Sequence, residues 1–117
     1  MSFRGNEDHF RDILQAIDLI EQFVYSMDIT AYQNDPKTRA AVEREFSILS
    51  EAAYRLGSDA ENLCPGPDWN GLRGMGNVLR HAYHRTNDEI IWNAVQIELS
   101  PLREAVNSAL ARLLKNK

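Results

Sequence analysis

Residues 69–85, WNGLRGMGNVLRHAYHR, decide how the rest of the chain is read. Leu72, Met75, Val78, Leu79 and Ala82 recur at the spacing of one helix face. Opposite them, Arg73, Asn77, Arg80, His81 and His84 fall within a wedge about 100° wide. Gly76 and Tyr83 lie on one flank of this wedge and Gly74 on the other. The stretch is therefore a helix with a core face and a face of hydrogen-bond donors. Its glycines each cost roughly 1 kcal/mol against alanine in a helix interior. Their presence predicts that a partner helix or a ligand approaches the backbone closely.

The flanking sequence has the same period. Asn6 with Glu7 and Asp8 predicts a capped helix start, followed by Phe10, Ile13, Leu14, Ile17, Ile20, Phe23 and Val24 to about Met27. DITAYQND (28–35) is a break with room for one helical turn. Asp35-Pro36 reads as an N-cap with proline at the first helical position. Val42, Phe46, Leu49, Ala53 and Leu56 then form a stripe that ends at Gly57. CPGPD (64–68) is a rigid connector, and Asp68 caps a third helix from Trp69 to about His84. Thr86 or Asn87 restarts the chain into DEIIWNAVQIEL (88–99), and Ser100-Pro101 restarts it into LREAVNSALARLL (102–114), striped by Leu102, Val106, Ala109, Leu110 and Leu113. No segment alternates with period two. The expected fold is all-α, an up-and-down helical bundle of four to five helices in one domain spanning residues 1–117.

Composition narrows the partners. With 44% hydrophobic and 26% charged residues among 117, the chain is of ordinary globular type. A single cysteine, Cys64, excludes an internal disulfide and suits a reducing compartment. The start, MSFRGNEDHFRD, is too polar for a signal peptide, and no apolar run approaches membrane-spanning length, so a cytoplasmic protein without membrane contact is expected. A net charge of −4 argues against indiscriminate nucleic-acid binding. Yet Asn70 to Asn87 holds Arg73, Arg80 and Arg85 with no Asp or Glu, a charge of +3 that leaves −7 for the remainder. An anionic ligand is drawn to one place.

The wedge suits a solvated helix face or a working surface. Solvated faces mix signs and use Lys and Glu, whereas this one holds Arg, Asn and His, which favours the second. These residue types fit phosphodiester chemistry. Histidine exchanges protons near neutral pH, and arginine holds a phosphate bidentately while neutralising a pentacovalent transition state. RNA carries its own nucleophile, the 2′-OH, so a base and a charge clamp suffice without a metal or other cofactor. One helix supplies few such groups, and two copies across a two-fold axis would double them. His81 and His84, spaced i, i+3, have no third ligand nearby, so no metal is expected; His84 is a phosphate contact or an exposed residue. His9 reads as a surface group, Cys64 as a buried or inert thiol, and Trp69 and Trp92 as core or interface anchors. Tyr83 fits a core tyrosine with its hydroxyl at the rim. Glu51 is either a surface residue or a group that orients the motif helix.

AVEREFSILSEAAYRL (41–56) with its Glu51-Ala52 pair, WNGLRGMGNVLRHAY (69–83) and DEIIWNAVQIELSPLREAV (88–106) together resemble the HepT-like family of the HEPN superfamily. These are the toxin halves of bacterial and archaeal toxin–antitoxin pairs. The resemblance implies a metal-independent endoribonuclease that acts on RNA as a homodimer, with the motif lining the interface cleft. It implies a nucleotidyltransferase-fold antitoxin as partner, and silencing by adenylylation of a motif tyrosine. Carried over, His81 is the catalytic histidine, Asn77 its polar neighbour and Tyr83 the modified tyrosine. The family keeps an arginine four to six residues before the histidine, and Gly76 stands in its usual place before Asn77. Arg80, and after it Arg73, is expected to supply the missing guanidinium. The glycine also favours an alternative, a non-catalytic helical module that binds a nucleotide or pairs with a nucleotidyltransferase.

Overall fold

A computed structural model describes residues 5–81 and 84–116, with the side chains of residues 81–87 outside the description. Its order is α1 (Asn6–Phe23), α2 (Ile29–Gln33), α3 (Pro36–Leu56), α4 (Ser58–Leu63), α5 (Trp69–His81), α6 (His84–Asn93), a π-helical turn (Ala94–Glu98) and α7 (Leu99–Lys115). No strand occurs among the described residues. The architecture is all-α, as the periodicity predicts.

The starts and stops follow from local chemistry. Asp35 accepts the Thr38 N–H at 3.0 Å and the Thr38 hydroxyl at 2.7 Å, with Pro36 opening α3. Gly57 ends that helix at φ +56°, where a side chain would be strained. Asp28 caps α2, the single turn foreseen in the break, through the Ala31 N–H at 2.8 Å. Three expectations change. Gly5, not Asn6, is the N-cap of α1, and the Asn6 amide instead donates to Asp59 at 3.2 Å. A further short helix, α4, follows Gly57 directly. Ser100-Pro101 does not restart the chain, because Pro101 lies inside α7. Proline lacks an N–H and crowds the carbonyl four residues back. The wider π turn ending at Glu98 accommodates that mismatch, so the helical path continues past the ring.

α3 is the central element. α1 packs along one flank and α5 along the other, while α7 closes over α1. Phe10, Ile13, Ile17 and Ile20 of α1 are buried against Val42, Phe46, Leu49 and Ala53 of α3, and Leu99, Leu102 and Val106 complete the core. Burying each large side chain contributes about 1.5–3 kcal/mol. This apolar mass fixes α3, and α3 in turn sets where α5 can lie.

Candidate functional site

α5 is seated on α3 by specific contacts. Asp68 caps its start by accepting the Gly71 N–H at 3.0 Å. Trp69 is buried, donates its ring N–H to the Cys64 carbonyl at 2.7 Å and leans on Phe10 at 6.4 Å. One turn further on, the Ser50 hydroxyl donates to the Arg73 carbonyl at 3.0 Å and accepts the Gly76 N–H at 3.2 Å. A Cβ at Gly76 would stand 3.0 Å from that hydroxyl oxygen. The close approach expected at this glycine is therefore made by a partner helix of the same chain. Gly74 is different: a Cβ there would meet nothing within 4 Å, and the residue is exposed.

Arg73 turns inward. Its Nε donates to the Ala53 carbonyl at 3.3 Å and one Nη2 hydrogen to the Gly57 carbonyl at 2.7 Å, at the C-terminal end of α3. Nη1 and Nη2 also fork onto both Glu61 carboxylate oxygens at 2.9 and 2.6 Å, and Nη1 reaches Asn70 at 3.0 Å. A guanidinium has five N–H donors, and all five have a protein partner. The hydrogen bond from Arg73 holds Glu61 below the usual carboxylate range, and Glu61 raises Arg73 in return. Arg73 is a brace joining α3, α4 and α5, with no donor left for the phosphate that the sequence led us to expect there.

Asn77 and Arg80 behave otherwise. Both are exposed, on the outer side of α5. Arg80 folds back over the preceding turn, as long helical side chains do. Its Nη1 lies 3.5 Å from where a Gly76 Cβ would be. The guanidinium thus hangs over Gly76, where the resemblance had led us to expect an arginine. The backbone of α5 runs to His81. The side chains expected to be the catalytic histidine (His81), the adenylylated tyrosine (Tyr83) and a phosphate contact or exposed residue (His84) lie outside the described residues. Asn77 and Arg80 share one open face of α5, and Arg73 is held away from it.

Other groups find structural work. Glu51 is exposed and pairs with Arg55 at 2.9 Å, the surface alternative. His9 is buried at 6% exposure, contrary to its reading as a surface group, because it continues the stripe of Ile13, Ala16 and Ile20 along α1. Burial pushes the Cys64 thiol up and disfavours the thiolate. Trp92 packs on Tyr32 at 5.3 Å, and Arg39 pairs with buried Asp88 at 3.3 Å, fixing α6 against α2 and α3. Burial, then the charges of Asp88 and Glu43, raise the Tyr32 phenol. Among the described residues no three His, Cys, Asp or Glu gather as a metal site requires, and no helix is long and apolar enough to cross a membrane. Across α5 from Arg80, a groove of about 780 Å³ is lined by Met75, Val78, Ile90, Ile97 and Leu102. It is mostly apolar, and the charged residues on its lining, Asp68, Glu89 and Glu98, are acidic and repel a phosphodiester. Ser50 is the residue that sequence reasoning missed; a serine on the stripe of Phe46, Ala53 and Gly57 was the available signal.

Known proteins are similar to this chain in sequence. A family model described as "Ribonuclease HepT-like" matches residues 13–109, from α1 through most of α7. A protein of Thermococcus cleftensis named "Probable ribonuclease HepT" is 31% identical over 100 residues, covering 86% of this chain and 91% of its own. Two proteins of Methanocaldococcus jannaschii, each named a "Putative RNase", are also similar. One is 34% identical over 84 residues (72% of this chain, 69% of its own) and the other 26% over 106 residues (91% and 97%). No solved structure matches the chain.

Proposed function

The chain belongs to the ribonuclease HepT-like family, and from that premise we propose that it is an endoribonuclease, the toxin half of a type VII-like toxin–antitoxin pair. The observation that carries the reading is the open, acid-free face of α5 on which Asn77 and Arg80 stand beside the His81 position, with the Arg80 guanidinium over Gly76. His81 takes the proton of a ribose 2′-OH, and the oxygen attacks the adjacent phosphorus. The bond from phosphorus to the 5′-oxygen breaks as that oxygen takes a proton from water, and a 2′,3′-cyclic phosphate remains. Arg80 neutralises the charge added at phosphorus, and Asn77 orients the phosphate or the imidazole. Arg73 acts through the placement of α5 and touches no substrate. No metal takes part.

A homodimer brings two such faces to one cleft, and a nucleotidyltransferase-fold antitoxin silences the toxin by adenylylating Tyr83. The apolar groove beyond Val78, with Ile97 62% exposed, suits a protein partner. A second reading draws on Gly76 in the arginine's place: a non-catalytic module that only pairs with a nucleotidyltransferase. The test is cleavage of RNA by purified protein in EDTA, with His81→Ala as control. Cleavage by the wild type and none by the variant are expected; intact RNA with both favours the module. Co-expression with a neighbouring nucleotidyltransferase, followed by mass spectrometry, is expected to show AMP on Tyr83, and unmodified Tyr83 would sink the regulatory half.

A further inference from the structure

We propose that Tyr54 is a stacking platform for an unpaired base of the RNA strand bound along the α3–α5 seam, an inference that rests on the ribonuclease reading. Tyr54 is 72% exposed, near the end of α3. A single exposed aromatic is ordinary, but the position of this one is not. Ser50 lies level with Gly76, and the Ala53 and Gly57 carbonyls lie level with Arg73, so α3 and α5 run antiparallel. Tyr54 comes one turn after Ser50 and between those two carbonyls, about 40° around α3 from Ser50 on the side away from the core. Arg80 and Asn77 are displaced from Gly76 in the same sense, toward solvent, so all three stand on the outer edge of one seam.

The spacing and charge also fit a strand. Counted along the seam through the Ser50–Gly76 contact, Tyr54 and His81 are about 13 Å apart, a separation of a few nucleotides. Two carboxylates of this region are paired, Glu51 with Arg55 and Glu61 with Arg73. A phosphate path from Arg80 toward Tyr54 therefore meets no unpaired carboxylate from these two residues. An aromatic face beside such a path binds bases of any identity, because every base has a π-face.

The experiment uses a fluorescent single-stranded RNA with 2′-O-methyl groups throughout, which binds without being cut. Tyr54→Phe is expected to bind as wild type, and Tyr54→Ala about tenfold more weakly. With cleavable RNA, Tyr54→Ala raises KM and leaves kcat unchanged. An abasic site introduced at each position in turn should weaken wild type at one position only, and have no further effect on Tyr54→Ala at that position, which a merely structural role would not produce. Wild-type affinity in Tyr54→Ala, or additive losses at every abasic position, overturns the inference while RNA binding by the wild type still stands. A wild-type protein that binds no RNA overturns the ribonuclease reading itself and this inference with it.

Discussion

The Ser50 hydroxyl holds the backbone of α5 at Gly76, accepting its N–H at 3.2 Å from a position where a Cβ would come within 3.0 Å. Ser50 is buried and its oxygen is also committed to the Arg73 carbonyl, so it has little freedom to move aside. Gly76→Ala gains about 1 kcal/mol of helix propensity and incurs an overpacking cost of about 1–3 kcal/mol. The net expectation is a loss of about 1 kcal/mol, measured by urea unfolding. In a Ser50→Ala background the clash is gone, since the residue's Cβ stands at 3.7 Å. There Gly76→Ala should be neutral or stabilising. Strict additivity of the two substitutions would contradict the contact.

Arg73 and Arg80 are separated by the same logic. Arg73→Ala removes the hydrogen bonds by which its guanidinium joins the α3 C-terminus and Glu61 to α5, and is expected to lower stability by about 2–3 kcal/mol. Arg80→Ala, on an exposed face, should change stability by less than about 0.5 kcal/mol while reducing RNA cleavage at least about 100-fold. Thermal melts paired with cleavage rates decide between the roles. An Arg73→Ala protein of wild-type stability would return that residue to the list of phosphate contacts.

How far the sequence could be read depended on the range of the interaction. Asp35 and Asp68 cap helices through bonds three residues away, so local sequence identified them. The core stripes of α1 and α3 were legible because burial follows the helical period. Asn6 misled because its amide has a distant partner in Asp59, and Gly5 took the cap. Arg73 sits in the polar wedge by angle, but its long side chain ends at carbonyls 16 and 20 residues away, which no wheel displays. Pro101 predicted a break by its missing N–H, and a π turn just upstream removed the need for one. His9 reads as a surface group through its polarity, although its spacing to Ile13 and Ile20 places it on the buried stripe.

Cys64 gives a test of the connector between α4 and α5. The thiol is 1% exposed and raised by burial, while its carbonyl anchors Trp69. Reaction with a disulfide reagent at neutral pH should be slow in the native protein and fast in denaturant, tracking local opening. Trp69→Phe, which leaves that carbonyl without its donor, should speed the native reaction. Fast labelling of the native wild type would contradict the packing.

Acid should loosen the brace before it unfolds the core. Hydrogen bonding to Arg73 depresses Glu61 from its ordinary value of 4.5, so folding favours its ionised form. Above that value both folded and unfolded chains carry the charge, and the stabilisation is fully present. As pH falls below it, the unfolded state takes up the proton first, and the contribution fades until the folded carboxyl is protonated as well. Glu61 is solvent-exposed, so screening keeps the effect small. Unfolding midpoints measured from pH 7 to pH 3 should therefore fall more steeply for the wild type than for Glu61→Gln, with the two curves converging at the acid end. Parallel curves would mean that Glu61 is not held by Arg73, and the forked pair at the foot of the motif helix would have to be abandoned.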